Sequence, residues 1–245
     1  FDIAPLDVNK SGTVWEISAD AKTLIQPLTS IKGLGMSAID QILANRPIQC
    51  AEELLFNEDI VYSKLNKKAL QALCESGALN TLVDDRFTGL KHFWNACVMD
   101  RPKTKKKLLT HIDKYRTQED FTPEERIEHI SSRTGIYPFD LVISDEIRDA
   151  LDRHRVPPLG SWDHDLKRAW FIPQSITKKK TKTGREFWIV KVIDETSTIT
   201  TIRCWGIIKG KDIIHLNRVY VSDLDYNPVW GFSTKSVRQN FILLG

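Results

Sequence analysis

The sequence predicts an α+β, multi-domain protein: an all-α module, then a basic helical connector, then a small antiparallel β-barrel. Three observations lead there. Apolar residues recur at helical spacing in short, glycine-jointed stretches up to about residue 154. From Lys167 onward the texture changes to β-branched and aromatic runs that alternate in part. Around that change lie two basic stretches, residues 101–116 with seven Lys/Arg against one acid and 177–191 with six against one. The expected divisions are a lead-in at 1–25, the helical module at 26–100, the connector at 101–160 and the barrel at 161–245.

Each element has a local reason. "GTVWEISA" alternates apolar and polar residues, a short strand pattern. Ala38, Ile39, Ile42 and Leu43 give one apolar helix face; Ser37 with Asp40 resembles a capping box, and Arg46-Pro47 stops the helix. "CAEELLFNE" is a second short helix. "NKKALQALCESGAL" is a third, with Leu70, Leu73 and Cys74 inward and Gly77 closing it. In "TPEERIEHISSRTG" Thr122 is the N-cap, Pro123 stands at N1, Glu124 and Glu125 favour the first turn, and Gly135 follows the end. "SDEIRDALDRHR" is capped by Ser144, and "VPPLGSW" reads as a linker. "AWFIPQSITKKK", "REFWIVKVIDE", "TTIRCWGII" and "NRVYVSDLDYN" read as strands, the first two joined by the hairpin "TKTG".

Composition bounds the function. The 245 residues are 41% hydrophobic and 27% charged, a globular composition without an apolar run long enough for a membrane span or a signal peptide. The first residue is Phe1, which points to a fragment or a processed product. Cys50, Cys74, Cys97 and Cys204 form no CxxC pair and neighbour no histidine at metal-ligand spacing, so structural zinc is not expected. Scattered thiols fit a reducing cytoplasm. The net charge of +3 argues for no particular partner, but the local basic stretches are compatible with a face that tracks phosphates.

"SIKGLGMSAIDQIL" carries the most chemistry. A Gly-x-Gly turn ahead of a helix leaves backbone N–H groups free of Cβ obstruction, and these donors with the positive helix end can bind a phosphate oxygen. Lys32 adds charge. No side chain reads a base in this geometry, so binding is expected to be sequence-independent. The spacing from Gly33 to Ala38 and Ile39 suits a helix-hairpin-helix unit, with Leu28 and Ile31 packing on Ile39 and Ile42. A second pair follows at "LNKKALQALCESGALNTL", whose turn "SGAL" has one glycine. The expected duplex-phosphate residues are Lys32, Gly33, Leu34, Gly35 and Ser37.

The order "DVNKSG", "LTSIKGLGMSAIDQIL", "LNKKALQALCESGALNTL" resembles the region behind the fingers of the bacterial replicative DNA polymerase III α subunit, the C-family polymerase. In that family a tandem helix-hairpin-helix region binds duplex. "FTPEERIEHISSRTGIYPFDLVI" looks like the helix before its oligonucleotide-binding (OB) domain, and "ITKKKTKTGREFWIVKVIDETSTITTIRCWG" like that domain's first strands. The resemblance is collinear over nearly the whole chain. It implies double- and single-stranded DNA as ligands, the rest of the replicative polymerase and the sliding clamp as partners, and the bacterial cytoplasm as location. It also implies residues 1–25 as a lead-in from the fingers, and two magnesium ions on three aspartates in an upstream palm, with no cofactor and no catalytic residue in this segment. Two features depart from the family. Where it has Tyr-Leu-x-x-His-Pro, this chain has "IYPFDLVI" without histidine. Its clamp-binding pentapeptide has only "TQEDF" as a near counterpart, which makes Gln118 and Phe121 the clamp candidates.

In an OB-like barrel, exposed aromatics stack on bases while lysines track the backbone. The candidates are Lys178, Lys179, Lys180, Lys182 and Arg185 on the hairpin, with Trp188 and Trp205 on the face; Phe187 and Tyr220 are also available. Phe187 and Trp188 are adjacent, so one faces the core and the other solvent. The D-x-D strings at 163–165 and 223–225 could place two carboxylates on one strand face, though acidic loop residues are the simpler reading. His154, His164 and His215 have no partner pattern for acid–base work. Two other readings compete. A DNA ligase would also join an OB domain to helix-hairpin-helix units, but with the barrel first and a nucleotidyl lysine motif. A non-enzymatic adaptor would use the helices to bind protein.

Overall fold

The computed structural model describes residues 2–19, 21–208 and 211–244. Contacts divide the chain into two compact units, Phe1–Pro138 and Phe139–Gly245, each with its own core. No helix among the described residues is long and apolar enough to cross a membrane.

The first unit opens with a three-stranded sheet in which β3 (Thr23–Ile25) lies between β1 (Asp2–Ala4), parallel to it, and β2 (Glu16–Ile17), antiparallel. The alternation in "GTVWEISA" thus yields a strand of two residues. Between β1 and β2 the chain dips into the helical core, where Leu6 and Val8 are buried. Asn9 holds it there by a two-way bond with Ile48, Nδ2 to O at 2.7 Å and N to Oδ1 at 2.8 Å. Arg46 donates to the carbonyls of Val8 and Ser11. Residues read as a lead-in therefore pack as part of the helical unit.

A 3-10 turn (Leu28–Ser30) leads through the glycine turn into α1 (Met36–Ala44). Ser37 is not the cap. The N-cap is Gly35, whose carbonyl accepts from Ala38 and Ile39 at 2.9 and 3.2 Å. The glycine turn has already bent the chain into the helix, so the expected Ser37–Asp40 capping box does not form. Next come α2 (Ala51–Phe56), α3 (Lys67–Glu75) capped by Asn66, and α4 (Leu90–Phe93) running into a π-helical turn (Trp94–Met99). They are followed by α5 (Lys105–Tyr115), capped by Thr104, and α6 (Pro123–Thr134). Helix α6 follows its sequence signals: a capping box between Thr122 and Glu125, Pro123 in the first turn, and Gly135 left-handed at φ +74°. The core of this unit is aliphatic, with Leu28, Ile39, Ile42, Leu54, Leu70 and Leu73 fully buried. Buried His92 joins α4 to α5: Nε2–H donates to the Ile112 carbonyl at 2.7 Å while Nδ1 accepts from Thr88 N–H at 3.0 Å. Of the expected connector, α5 and α6 lie in the first unit.

The second unit begins with α7 (Asp145–Arg153), capped by Ser144. The stretch read as a linker is part of the next core. Leu159 is buried there, and the Pro157 carbonyl accepts from Trp170 N–H at 3.0 Å. Asp194, fully buried, gathers the hydroxyl of Thr196 and the N–H groups of Gly160, Thr196 and Thr198, fastening this segment to the sheet. The seven-stranded sheet uses β4 (Arg168–Lys180), β5 (Glu186–Ile193), β6 (Ile199–Cys204), β7 (Val219–Asp223), β8 (Asp225–Asn227), β9 (Gly231–Thr234) and, after the short helix α8 (Val237–Asn240), β10 (Ile242–Leu244). The order is β10-β7-β4-β5-β6-β9-β8. All pairs are antiparallel except β6–β9, which is parallel. A single residue, buried Leu224, separates β7 from β8, so one bent segment serves both margins of the sheet and curls it around Phe171, Val190, Val192, Ile202 and Tyr220. The register shift between Pro173 and Ser175 lets β4 bend from β7 to β5.

In the helical unit Arg86 bonds both Glu52 and Asp84, and these hydrogen bonds hold the two carboxyls below their usual range. Lowered carboxylate pKa values add stability that is fully present above about pH 5 and is lost as pH falls through the lowered values. Urea unfolding followed from pH 7 to pH 3 is expected to show that decline, and Arg86→Gln both to lower stability at pH 7 and to flatten the decline.

Candidate nucleic-acid interface

Two glycines give the first turn different properties. Gly33 sits at φ +89°, where a side chain is strained, and a Cβ there would come within 3.0 Å of Arg133 Nη1. Gly35 has φ −85°, open to any residue, and a Cβ would meet nothing within 4 Å. Gly33 is thus required by the chain itself, whereas nothing among the described residues requires Gly35 to be bare. The N–H groups of Gly33, Gly35, Met36 and Ser37 have no acceptor among the described residues. Gly33, Gly35 and Ser37 are exposed, as is Lys32. Leu34 plays another part: its side chain is buried and its N–H bonds Ile31 at 3.1 Å, so it anchors the turn from below.

Helix α6 clasps this turn. Lys32 N–H donates to the Arg133 carbonyl at 2.8 Å, and Arg133 Nη1 donates back to the Lys32 carbonyl at 3.0 Å. The same guanidinium pairs through Nε with Glu75, the last residue of α3. Sequence reading missed Arg133, which lies 101 residues from Lys32; no local signal links them.

The turn after α3 is closed. Ser76 caps the helix, Gly77 is left-handed at φ +84°, and the N–H groups of Gly77 and Ala78 bond the carbonyls of Cys74 and Leu73, both at 3.0 Å. This is a Schellman cap. Ser76, Ala78 and Leu79 are buried, and only a 3-10 turn (Asn80–Leu82) follows. Its donors are already satisfied and covered, so the two turns are not equivalent copies.

Residues 1–89 match the family model of the helix-hairpin-helix motif. No curated protein matches the chain. The helix-hairpin-helix match supports nucleic-acid binding; the open main-chain donors of the first turn are those of Gly33, Gly35, Met36 and Ser37.

On the curled sheet, the pleat separates the expected residues. Val190 and Val192 point inward, and Trp188, in step with them, packs against the core with Lys178 Nζ 5.4 Å above its ring. Phe187 is the outward member of the pair. It stacks on Trp205 with centroids 4.6 Å apart and planes at 21°, and Arg185 caps Trp205 at 5.2 Å. Lys179 stands opposite Phe187 on β4, and Lys180 pairs with Glu186 at 3.3 Å. Lys182 is exposed at the hairpin tip, where Gly184 supplies φ +84°. Two further residues join this face. Arg203, two residues from Trp205 on β6, lies 5.3 Å from the ring of Trp230. Trp230 is 65% exposed on the β8–β9 turn, where Asn227 Oδ1 accepts from both Val229 and Trp230 N–H groups. Its position between strand signals concealed it.

The remaining candidates are engaged within the chain. Gln118 accepts from Asn95 Nδ2 at 2.5 Å, and Phe121 packs on Trp94 and His129 with Lys91 above its ring. Asp223 is held by Arg168 at 2.7 Å, and Asp163 accepts from Asp165 N–H in its own loop. No cluster of three metal-ligating side chains occurs among the described residues. Burial pushes the thiols of Cys74 and Cys97 up, and that of Cys204 to about 12, so they stay protonated and unreactive.

Arg133→Ala removes the guanidinium half of the clasp on Lys32, keeps the main-chain bond from Lys32 N–H, and leaves Glu75 unpaired. Urea denaturation is expected to show a loss of about 1–3 kcal/mol, the ordinary cost of an unmet, partly buried charged hydrogen bond.

Proposed function

We propose that this chain is the DNA-gripping portion of a replicative DNA polymerase of the polymerase III α type, acting in the bacterial cytoplasm. The helix-hairpin-helix turn holds the backbone of product duplex, and the barrel holds single-stranded template. The observation that carries the duplex half is Gly35, bare without internal cause beside four unpaired N–H donors. A phosphate approaching the main chain needs that missing Cβ. Main-chain donors are the same whatever the bases, so the grip is sequence-independent.

Support for an OB-type barrel comes from the strand order. The long bulged β4 pairs with both β5 and β7, β6 runs parallel to β9, and the bent β7–β8 segment serves both sheet margins. The outer face of β5 and β6 then carries Phe187, Trp205 and Arg203, flanked by the lysine hairpin and Trp230. Stacked aromatics with adjacent cations are what single-stranded nucleic acid requires, at about 1–3 kcal/mol per stacked base. On this reading Phe187 replaces Trp188 as the base-facing residue.

Within this segment the residues position DNA; the magnesium chemistry belongs to the palm that the polymerase resemblance implies. Neither D-x-D pair fits that metal pair, since Arg168 neutralises Asp223 and the Asp163 carboxylate closes its own loop. Clamp binding through Gln118 and Phe121 would require Gln118 to leave Asn95 and Phe121 to leave Trp94.

The test uses fluorescence anisotropy with duplex and single-stranded DNA over a salt series. Gly35→Ala is expected to keep the melting temperature within a few degrees, since exchanging a Gly N-cap for Ala costs about 1 kcal/mol, yet to weaken duplex binding several-fold and reduce its salt slope by about one phosphate. Phe187→Ala with Trp205→Ala is expected to weaken single-strand binding by about 10-fold or more and leave duplex binding unchanged. Unaltered DNA binding in all of these variants would overturn the reading in favour of a protein-binding adaptor.

A further inference from the structure

The start of α3 and the start of α5 form one basic surface. Lys67 Nζ donates to the Met99 carbonyl at 2.7 Å. Arg101 lies over the Tyr62 ring at 4.2 Å and donates to the Leu65 carbonyl at 3.4 Å. These tethers draw residues 99–101 against the entry to α3, so two lysine groups distant in sequence become neighbours. Lys64 and Lys68 stand on one side; Lys103, Lys105, Lys106 and Lys107 stand on the other. All six are exposed, and among the described residues none of their ammonium groups meets a carboxylate. The nearest acid in sequence, Asp100, is occupied by Lys114 and the Tyr115 hydroxyl at 2.7 and 2.5 Å, which hold its pKa down at about 2.

Three of these lysines are badly placed for the chain alone. Lys105, Lys106 and Lys107 form the first turn of α5, and no acid shares that turn. A helix start carries partial positive charge, so cations there oppose the dipole and repel one another. The Thr104 side chain, accepting from Lys107 N–H at 3.2 Å, fixes the turn in this arrangement. Acids would serve local stability better. An anion lying across the surface removes the conflict.

The geometry points to a second duplex-backbone contact on the helical unit, formed by the lysines around the starts of α3 and α5 and separate from the glycine turn. The inference rests on the duplex-binding reading. Helix α3 connects the two contacts: its last residue, Glu75, pairs with the arginine that holds Lys32, and its first turn carries Lys68. Nine residues of α-helix span about 13 Å, close to four base pairs of duplex at about 3.4 Å each. One short duplex can therefore touch both. The expected ligand is a regular array of phosphates, bound through mobile ammonium groups as point charges and without base preference.

The test compares the full chain with a Lys103→Gln, Lys105→Gln, Lys106→Gln, Lys107→Gln variant and with Gly35→Ala. The probe is a labelled mixed-sequence DNA duplex of about 20 base pairs, titrated over a salt series. The lysine variant is expected to bind about 10- to 100-fold more weakly at low salt, with the slope of log affinity against log salt shallower by about 2 to 4. Its melting temperature is expected to hold or rise, because the charges opposing the α5 dipole are gone. The corresponding four Lys→Arg changes are expected to retain binding. Wild-type affinity and slope in the glutamine variant, with Gly35→Ala still weakened, would overturn the lysine surface and leave the glycine turn standing. Loss of binding in the glutamine variant, with Gly35→Ala unaffected, would uphold the lysine surface and overturn the turn. A wild-type chain without salt-sensitive duplex binding would overturn both.

Discussion

The helical unit depends on one arginine. Arg133 meets the glycine turn through both its carbonyl and its guanidinium, and meets the end of α3 through Glu75. Without that clasp, a turn held mainly by Leu34 in the core and one Ile31 carbonyl would have little to fix its outer edge. The clasp also explains which donors remain open. It takes the Lys32 N–H and stops there, so the unpaired groups begin at Gly33. The capping box at Thr122 and the left-handed Gly135 matter for the same reason: they set where α6 starts and ends, and so where Arg133 arrives.

Much of the fold was legible in the sequence because the relevant physics is local. Thr122, Pro123, Glu125 and Gly135 mark α6 from within a dozen residues, and Ser144 does the same for α7. The four long strand runs were legible from β-branched and aromatic content, and the hairpin from its glycine. What was not legible depends on partners far along the chain. The capping role expected of Ser37 fell to Gly35, because a turn fixed from outside by Arg133 enters the helix earlier than side-chain chemistry alone would place it. "VPPLGSW" looked like a linker since nothing nearby announces that Asp194 will gather the N–H of Gly160. Strands β9 and β10, of four and three residues, were too short to show a period.

The candidate site was legible to a similar degree. Gly33, Gly35 and Lys32 stand where their spacing placed them, exposed at a helix start. The single glycine of the second turn already set it apart from the first, and the structure adds a reason that one glycine could not disclose: its N–H groups close a helix end, and Val8 N–H bonds the Ala78 carbonyl at 2.9 Å, which seals it. On the sheet, the pleat rule separated Phe187 from Trp188 but could not assign the faces. That required knowing that Val190 and Val192 are interior, which the structure supplies.

The asymmetry of the two turns has a mechanical consequence. A body held to a rod at one small point can swivel about it; held at two separated points, it keeps a heading. Under the proposed duplex grip, with the second turn sealed, the open one would act as a pivot. Direction along the rod must then come from elsewhere on the same unit. The pivot is also indifferent to which phosphate it touches, because each successive phosphate along a strand offers the same oxygens to the same main-chain donors. On that proposal, advancing by one nucleotide would release one set of bonds and restore an identical set, which implies an energy profile along the strand that repeats with single-nucleotide period. In that picture the absence of a methyl group at Gly35 would keep each position accessible without adding a side chain that could tell one step from the next.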